Sequence, residues 1–345
     1  MTAALEPAPR FAGEDEFVPP AWLKSPHAQT IYAAHLAPRP AVAFRRNRWL
    51  TPDGDFIDLD WVVPAATGQA PPTPDAPLVV LFHGLEGSSG SHYARTLMHA
   101  VQARRWHAVV VHFRGCSGQP NRLARAYHSG DSDEIAWILA RMSREHAGPI
   151  AAVGVSLGAN ALLKWLGESA AAARTVVAAA CAVSAPIDLV AAGTALDHGF
   201  NRVYGWNFLR TLRAKSLAKL ASHPGLYDAR AVRRAWTLRA FDDRVTAPLH
   251  GFIDARDYWV RASSKVWLRH IAVPTLIINA RDDPFLPARA LAMPQEVSAA
   301  VTLLYPRYGG HVGFVSGPFP GSLGWLPQRV VSFLAQTLGR EPRVA

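Results

Sequence analysis

A serine, a pair of adjacent aspartates and a histidine occur along this chain in an order suited to acyl transfer: Ser156, then Asp282 and Asp283, then His311. Ser156 is the centre of Gly154-Val155-Ser156-Leu157-Gly158. An apolar run (149–153) precedes this pentapeptide and a helix-forming run (159–166) follows it. The pattern alone arises by chance; its strand and helix context make it a nucleophile elbow. The glycines leave room for a tight, strained turn. The turn also frees the N–H of Leu157 at a helix start, where negative charge is stabilised. A serine hydroxyl is a weak nucleophile until a histidine takes its proton and an acid holds that histidine. Asp282 and Asp283 follow the apolar run 275–279; one can orient the histidine while the other caps the turn or pairs with Arg281. His311 lies in Gly309-Gly310-His311-Val312-Gly313-Phe314 after the run 301–305, and glycines let such a loop bend back over a sheet. Leu85, in His83-Gly84-Leu85 after the run 78–82, is expected to supply a second oxyanion N–H beside that of Leu157. His83 ends a buried strand and reads as structural.

The elements that position these residues alternate. Residues 45–50 and 56–63 read as two strands joined by the turn Thr51-Pro52-Asp53-Gly54-Asp55. A Pro/Ala loop covers 65–77. Strands are then expected at 78–82, 108–111, 149–153, 176–183, 275–279 and 301–305, with helices at about 93–103, 132–144, 159–166 and 328–338. Continuous apolar strands alternating with helices predict a mostly parallel eight-stranded sheet covered on both faces, with the first two strands antiparallel at an edge. With the elbow and the Ser–Asp–His order, this is the α/β-hydrolase fold. Between 187 and 270 no clear apolar strand occurs, which reads as a helical cap insertion. Its Trp206, Phe208, Trp236, Phe241, Tyr258 and Trp259 either line an acyl pocket or pack the cap onto the core. The expected division is an N-terminal arm (1–40, its first 20 residues poorly ordered), a first core part (41–186), the cap (187–270) and a second core part (271–345).

Composition narrows the class. Half of the 345 residues are hydrophobic and 18% are charged, as in ordinary globular proteins. No apolar run approaches the about 20 residues that span a bilayer, and residues 1–15 lack a signal pattern, so a cytoplasmic location is expected. The two cysteines, Cys116 and Cys181, do not form a disulfide framework, and no Cys/His cluster has metal-ligand spacing. No metal or cofactor is expected. The net charge of +10 raises the question of a polyanionic partner. No nucleic-acid motif accompanies it, so nucleic acid is not expected. Ten Lys/Arg against three acids fall in residues 200–245. An anionic membrane surface or an anionic substrate is one reading of that imbalance, and a solvated arginine-rich face is the other.

Several longer motifs resemble the YheT-like family of α/β-hydrolases. They are residues 17–30 (Phe-Val-Pro-Pro-Ala-Trp-Leu-Lys-Ser-Pro-His-Ala-Gln-Thr), His83 to Ser89, Phe113 to Gly118, Asn121-Arg122 with 126–131, and 309–314. The resemblance covers roughly residues 17–338. It maps the family's nucleophile, acid and histidine onto Ser156, Asp283 and His311, and so prefers Asp283 to Asp282. It implies a serine carboxylesterase acting on a short- to medium-chain or lipid-like ester, with relatives among medium-chain phospholipases and ethanol acyltransferases. Acyl transfer to an alcohol, and a non-catalytic small-molecule-binding hydrolase fold, are the alternatives. No role follows for Tyr127-His128-Ser129-Gly130-Asp131, beyond Asp131 as the N-cap of the helix starting near Ser132.

Overall fold

The structure is a computed structural model that describes residues 17–63 and 71–339. The first sixteen residues and the first part of the expected 65–77 loop lie outside them. Eight strands form one sheet: β1 (Phe44–Leu50), β2 (Phe56–Val62), β3 (Leu78–Phe82), β4 (His107–His112), β5 (Ile150–Val155), β6 (Ala179–Val183), β7 (Thr275–Ile278) and β8 (Val301–Leu304). Their order is β1-β2-β4-β3-β5-β6-β7-β8. β1 pairs with β2, and β2 with β4, antiparallel; every later pairing is parallel. This is the α/β architecture expected from the apolar runs.

Strands β3, β5 and β6 are buried along their whole length. Alternate residues serve opposite faces. Val79, Leu81, Val110 and Val153 pack with the helices α2 (His92–Ala103) and α11 (Trp325–Leu338). Val80, Phe82, Val109 and Ala152 pack with α3 (Ser132–Glu145) and α4 (Leu157–Ser169). Near the start lies α1 (Pro26–His35), which opens on a proline and buries Gln29, Thr30 and Ala33. No helix was expected there, because two of its three buried residues are polar and leave no apolar stripe.

Between β6 and β7 the chain runs through α5 (Leu189–Leu196), α6 (Arg202–Ser222), α7 (Ala229–Arg233), α8 (Leu238–Phe241), α9 (Ala247–Leu249) and α10 (Ala255–Ala262). This segment has small apolar clusters, one around Leu209, Val232 and Phe241 that also takes in Phe285 from beyond β7, the other around Leu189, Tyr258 and Trp259. Among the described residues no helix is long and apolar enough to cross a membrane.

Candidate active site

Ser156 stands between β5 and α4 with φ 53° and ψ −118°, a backbone that side chains rarely adopt. Its N–H donates to Val183 O at 2.8 Å, which pins the turn to the neighbouring strand. The flanking glycines are required by contact. A Cβ on Gly154 would lie 2.5 Å from Ala159 Cα, and one on Gly158 would lie 2.4 Å from Phe82 O.

The structure brings Ser156, His311 and Asp283 together. His311 Nε2 lies 2.9 Å from Ser156 Oγ. Its Nδ1 lies 2.9 Å and 3.1 Å from the two carboxylate oxygens of Asp283. Asp283 is buried, and its Oδ1 also accepts the Phe285 N–H at 2.8 Å. The ring of Phe285 stacks on His311 with centroids 4.0 Å apart, covering one face of the imidazole. Asp282 is turned away from this line. Its Oδ1 accepts the N–H of Gly310 at 2.9 Å, so it ties the acid loop to the histidine loop. The pairing of Asp282 with Arg281, one of the two roles left to the second aspartate, does not form; Arg281 Nε donates to Tyr305 O instead.

The N-terminal helix completes the histidine loop, a function that sequence reasoning missed. Thr30 Oγ1 accepts the N–H of His311 at 2.9 Å. Gln29 accepts the N–H of Val315 at 2.7 Å and donates to Val315 O and Leu23 O. Gly310 lies so close to α1 that a Cβ there would sit 2.4 Å from Pro26 O. Residues 17–30 were visible as a motif, but only the fold shows that the motif touches residues nearly 300 positions away.

His83 is fully buried and does not approach the triad as a base. Its Nε2 accepts the Phe113 N–H at 3.1 Å, so Nδ1 carries the proton and donates to Gly84 O at 2.7 Å. Burial pushes its pKa down to about 3, so it stays neutral. In a trans peptide the C=O and the following N–H point opposite ways. Anchoring Gly84 O therefore directs the N–H of Leu85 away from His83. Gly84 itself abuts Ser156; a Cβ there would sit 3.1 Å from Ser156 Cβ. Leu85 and Leu157 both line the cavity above Ser156.

That cavity has a volume of about 640 Å³ and contains Ser156, His311 and Phe285 in its wall. Its apolar lining comes mostly from the segment between β6 and β7, including Leu196, Phe208, Leu212, Phe241, Val245 and Trp259. Of the aromatics singled out in that segment, Phe208, Phe241, Tyr258 and Trp259 reach the cavity, whereas Trp206 and Trp236 do not and are exposed. Polar lining comes from the loops after β3 and β4 and from Lys215 and Lys219 of α6. Lys215 Nζ lies 2.9 Å from Glu86 Oε1, joining α6 to the Leu85 loop. Lys219 donates to the carbonyls of Asn121 and Leu123, and burial lowers its pKa.

The motif 127–131 joins the β6–β7 segment to the sheet. Tyr127 OH donates to Glu86 Oε1 and accepts the Glu86 N–H, both at 2.9 Å. Ser129 N–H donates to Tyr258 OH at 2.8 Å, and a Cβ on Gly130 would collide with Ala262 at 2.7 Å. Asn160, one turn past Ser156, donates to Ser129 O and Ala262 O and accepts the Ser264 N–H. The expected N-cap role of Asp131 is not observed. It precedes α3 with φ −76° and ψ 62° and makes no side-chain cap bond; its Oδ1 is held by Arg125 at 2.5 Å. A strong cation nearby outcompetes a backbone N–H for a buried carboxylate.

The sheet order and the strand–serine–helix turn define an α/β-hydrolase. The chain belongs to that family: the model described as "alpha/beta hydrolase fold" matches residues 77–318. It is 40% identical over 338 residues to the Escherichia coli protein YheT, which carries a provisional esterase name, and the match covers 96% of each chain. It is 28% identical to the mouse phospholipase ABHD3 over 89% of this chain and 75% of that one. The solved esterase Pf2001 of Pyrococcus furiosus shares the fold with a TM-score of 0.54 at 16% identity, over 88% of this chain and all of that one.

Proposed function

We propose that this protein hydrolyses carboxylic esters of short- to medium-chain or lipid-like acyl groups through an acyl-enzyme on Ser156. The observation that carries the reading is the line Asp283–His311–Ser156, with two contacts of 2.9 Å, opening into the 640 Å³ cavity. His311 takes the Ser156 proton as Oγ bonds to the acyl carbon. The carbonyl oxygen becomes an oxyanion held by the N–H groups of Leu85 and Leu157. The ester C–O bond then breaks, and the leaving alcohol receives the proton from His311. Water repeats the sequence: it gives a proton to His311, attacks the acyl carbon, and frees the acid as Oγ leaves with that proton. Asp283 holds the tautomer of His311 and stabilises its cation. Loss of an oxyanion donor of this kind typically costs about 3 kcal/mol of barrier.

The β6–β7 segment acts as the cap, and its apolar side chains receive the acyl group. The relatives named as an esterase and a phospholipase agree with ester chemistry. We place the protein in a reducing cytoplasm; its cysteines, Cys116 and the buried Cys181, are free thiols. The test is a panel of nitrophenyl esters of rising acyl length, with Ser156→Ala as control. Hydrolysis of short to medium chains that vanishes in the variant is expected. Folded protein inert across the panel, or a variant that keeps its turnover, would overturn the reading.

A further inference from the structure

The outer surface of α6 and of the stretch that follows α7 carries an aromatic and cationic patch that the ester chemistry does not use. Trp206 is 54% exposed and Trp236 is 66% exposed. They lie together in a shallow groove with Val203 and Arg202. The guanidinium of Arg213 sits 4.8 Å from the centre of the Trp236 ring and also donates to Arg233 O. Large apolar side chains clustered on a surface mark an interaction site more often than do single ones. Tryptophan favours the boundary between hydrocarbon and lipid headgroups.

The charge around these rings is mostly positive. Helix α6 holds Arg202, Arg210, Arg213, Lys215 and Lys219 and no acidic residue. The acid in the groove, Asp197, accepts the N–H of Leu238 and has its pKa raised by burial. At 100° per residue, Val203, Trp206 and Arg210 point away from Phe208, Leu212 and Lys219, which line the cavity. One helix thus presents its inner face to the cavity and its outer face to whatever approaches the patch.

We propose that this face docks on an anionic lipid bilayer, with Trp206, Trp236 and Val203 entering the headgroup region and the surrounding arginines meeting lipid phosphates. Charge complementarity selects the occupant: apolar rings need an interface that admits them, and the arginines need anions around it. The docking is independent of the ester reading, because it uses no residue of the Ser156 site.

The test is co-sedimentation of the full chain with vesicles of phosphatidylcholine alone or mixed with phosphatidylglycerol, at low and at high salt. Binding to the anionic vesicles at low salt is expected, with release as salt rises, because attraction at the surface is screened over about 8 Å at physiological ionic strength. The double variant Trp206→Ser with Trp236→Ser, and separately Arg202→Gln with Arg210→Gln, should each weaken partitioning by about tenfold or more. Both should hydrolyse a small soluble ester as the parent does, and Ser156→Ala should bind vesicles as the parent does. No binding to anionic vesicles at low salt, equal binding to both vesicle types, or undiminished binding by folded tryptophan variants would each overturn the proposal.

Discussion

β5 buries all six of its residues, whereas the twenty-one residues of α6 bury only Gly205 and Leu209. The first leads into Ser156 and the second roofs the cavity above it. Around the serine, glycines at 154 and 158 stand where any Cβ would meet backbone at 2.5 Å or less. Around α6, contacts are made by long side chains such as Lys215 and Lys219, which reach across to Glu86 and to loop carbonyls. Close-packed backbone has one arrangement, while contacts made by the ends of long, flexible side chains tolerate others. The difference divides the proposed work. The strand ends hold the proposed reacting groups in one geometry, and the roof is free to vary with the substrate.

The largest effect should come from breaking the rigid side. Asp283→Asn keeps the volume but leaves His311 facing an amide, and the same change in serine proteases costs about 10⁴ in turnover. Asp282→Asn keeps an acceptor for the Gly310 N–H and should lose less than about tenfold, the scale of one surface-loop hydrogen bond. Steady-state hydrolysis by the two folded variants checks the ranking. The reverse order would move the acid to Asp282.

A smaller effect sharpens the roof side. Asp242 lies in the wall of the cavity, where its oxygens accept from Thr246 and from Trp259 Nε1, and burial raises its pKa to about 7. The folded protein then holds a proton that the unfolded chain loses near pH 4. Stability from this group is therefore fully present below about pH 4 and is lost as pH rises through about 7. Asp242→Asn can still accept from Trp259 and donate to Thr246, and it never ionises. Urea unfolding should show the variant near the parent at pH 4.5 and more stable by roughly 4 kcal/mol at pH 8. An unchanged difference at the two pH values would mean that the carboxylate is not held neutral by its surroundings.

The same contrast governs what could be read from the sequence. Strand β3 falls on the residues of its apolar run, because a strand buried on both faces leaves an unbroken signal. Ser156 was legible because its turn needs glycines on either side, and His311 because it follows the last strand in a glycine-rich loop. The choice between Asp282 and Asp283 was not legible from the residues, since both are short carboxylates in one turn; only the family resemblance favoured Asp283, and the structure shows which of them faces the imidazole. Thr30 and Gln29 acquire their roles through contacts with residues 311 and 315, and local pattern cannot report contacts over such separations. Asp131 looked like an N-cap by position and is instead an ion-pair partner of Arg125. In the roof, aromatics that line the cavity and aromatics that face solvent share one composition, and only the three-dimensional helix face separates Phe208 from Trp206.

On the proposed mechanism Ser156 is an activated nucleophile. That role is tested most directly by exposing the folded protein to a fluorophosphonate probe and locating the adduct by mass spectrometry. One adduct on Ser156, absent from the Ser156→Ala variant and strongly slowed in Asp283→Asn, is the expected result. A folded parent that takes no label, or a Ser156→Ala variant that labels as the parent does, would contradict it.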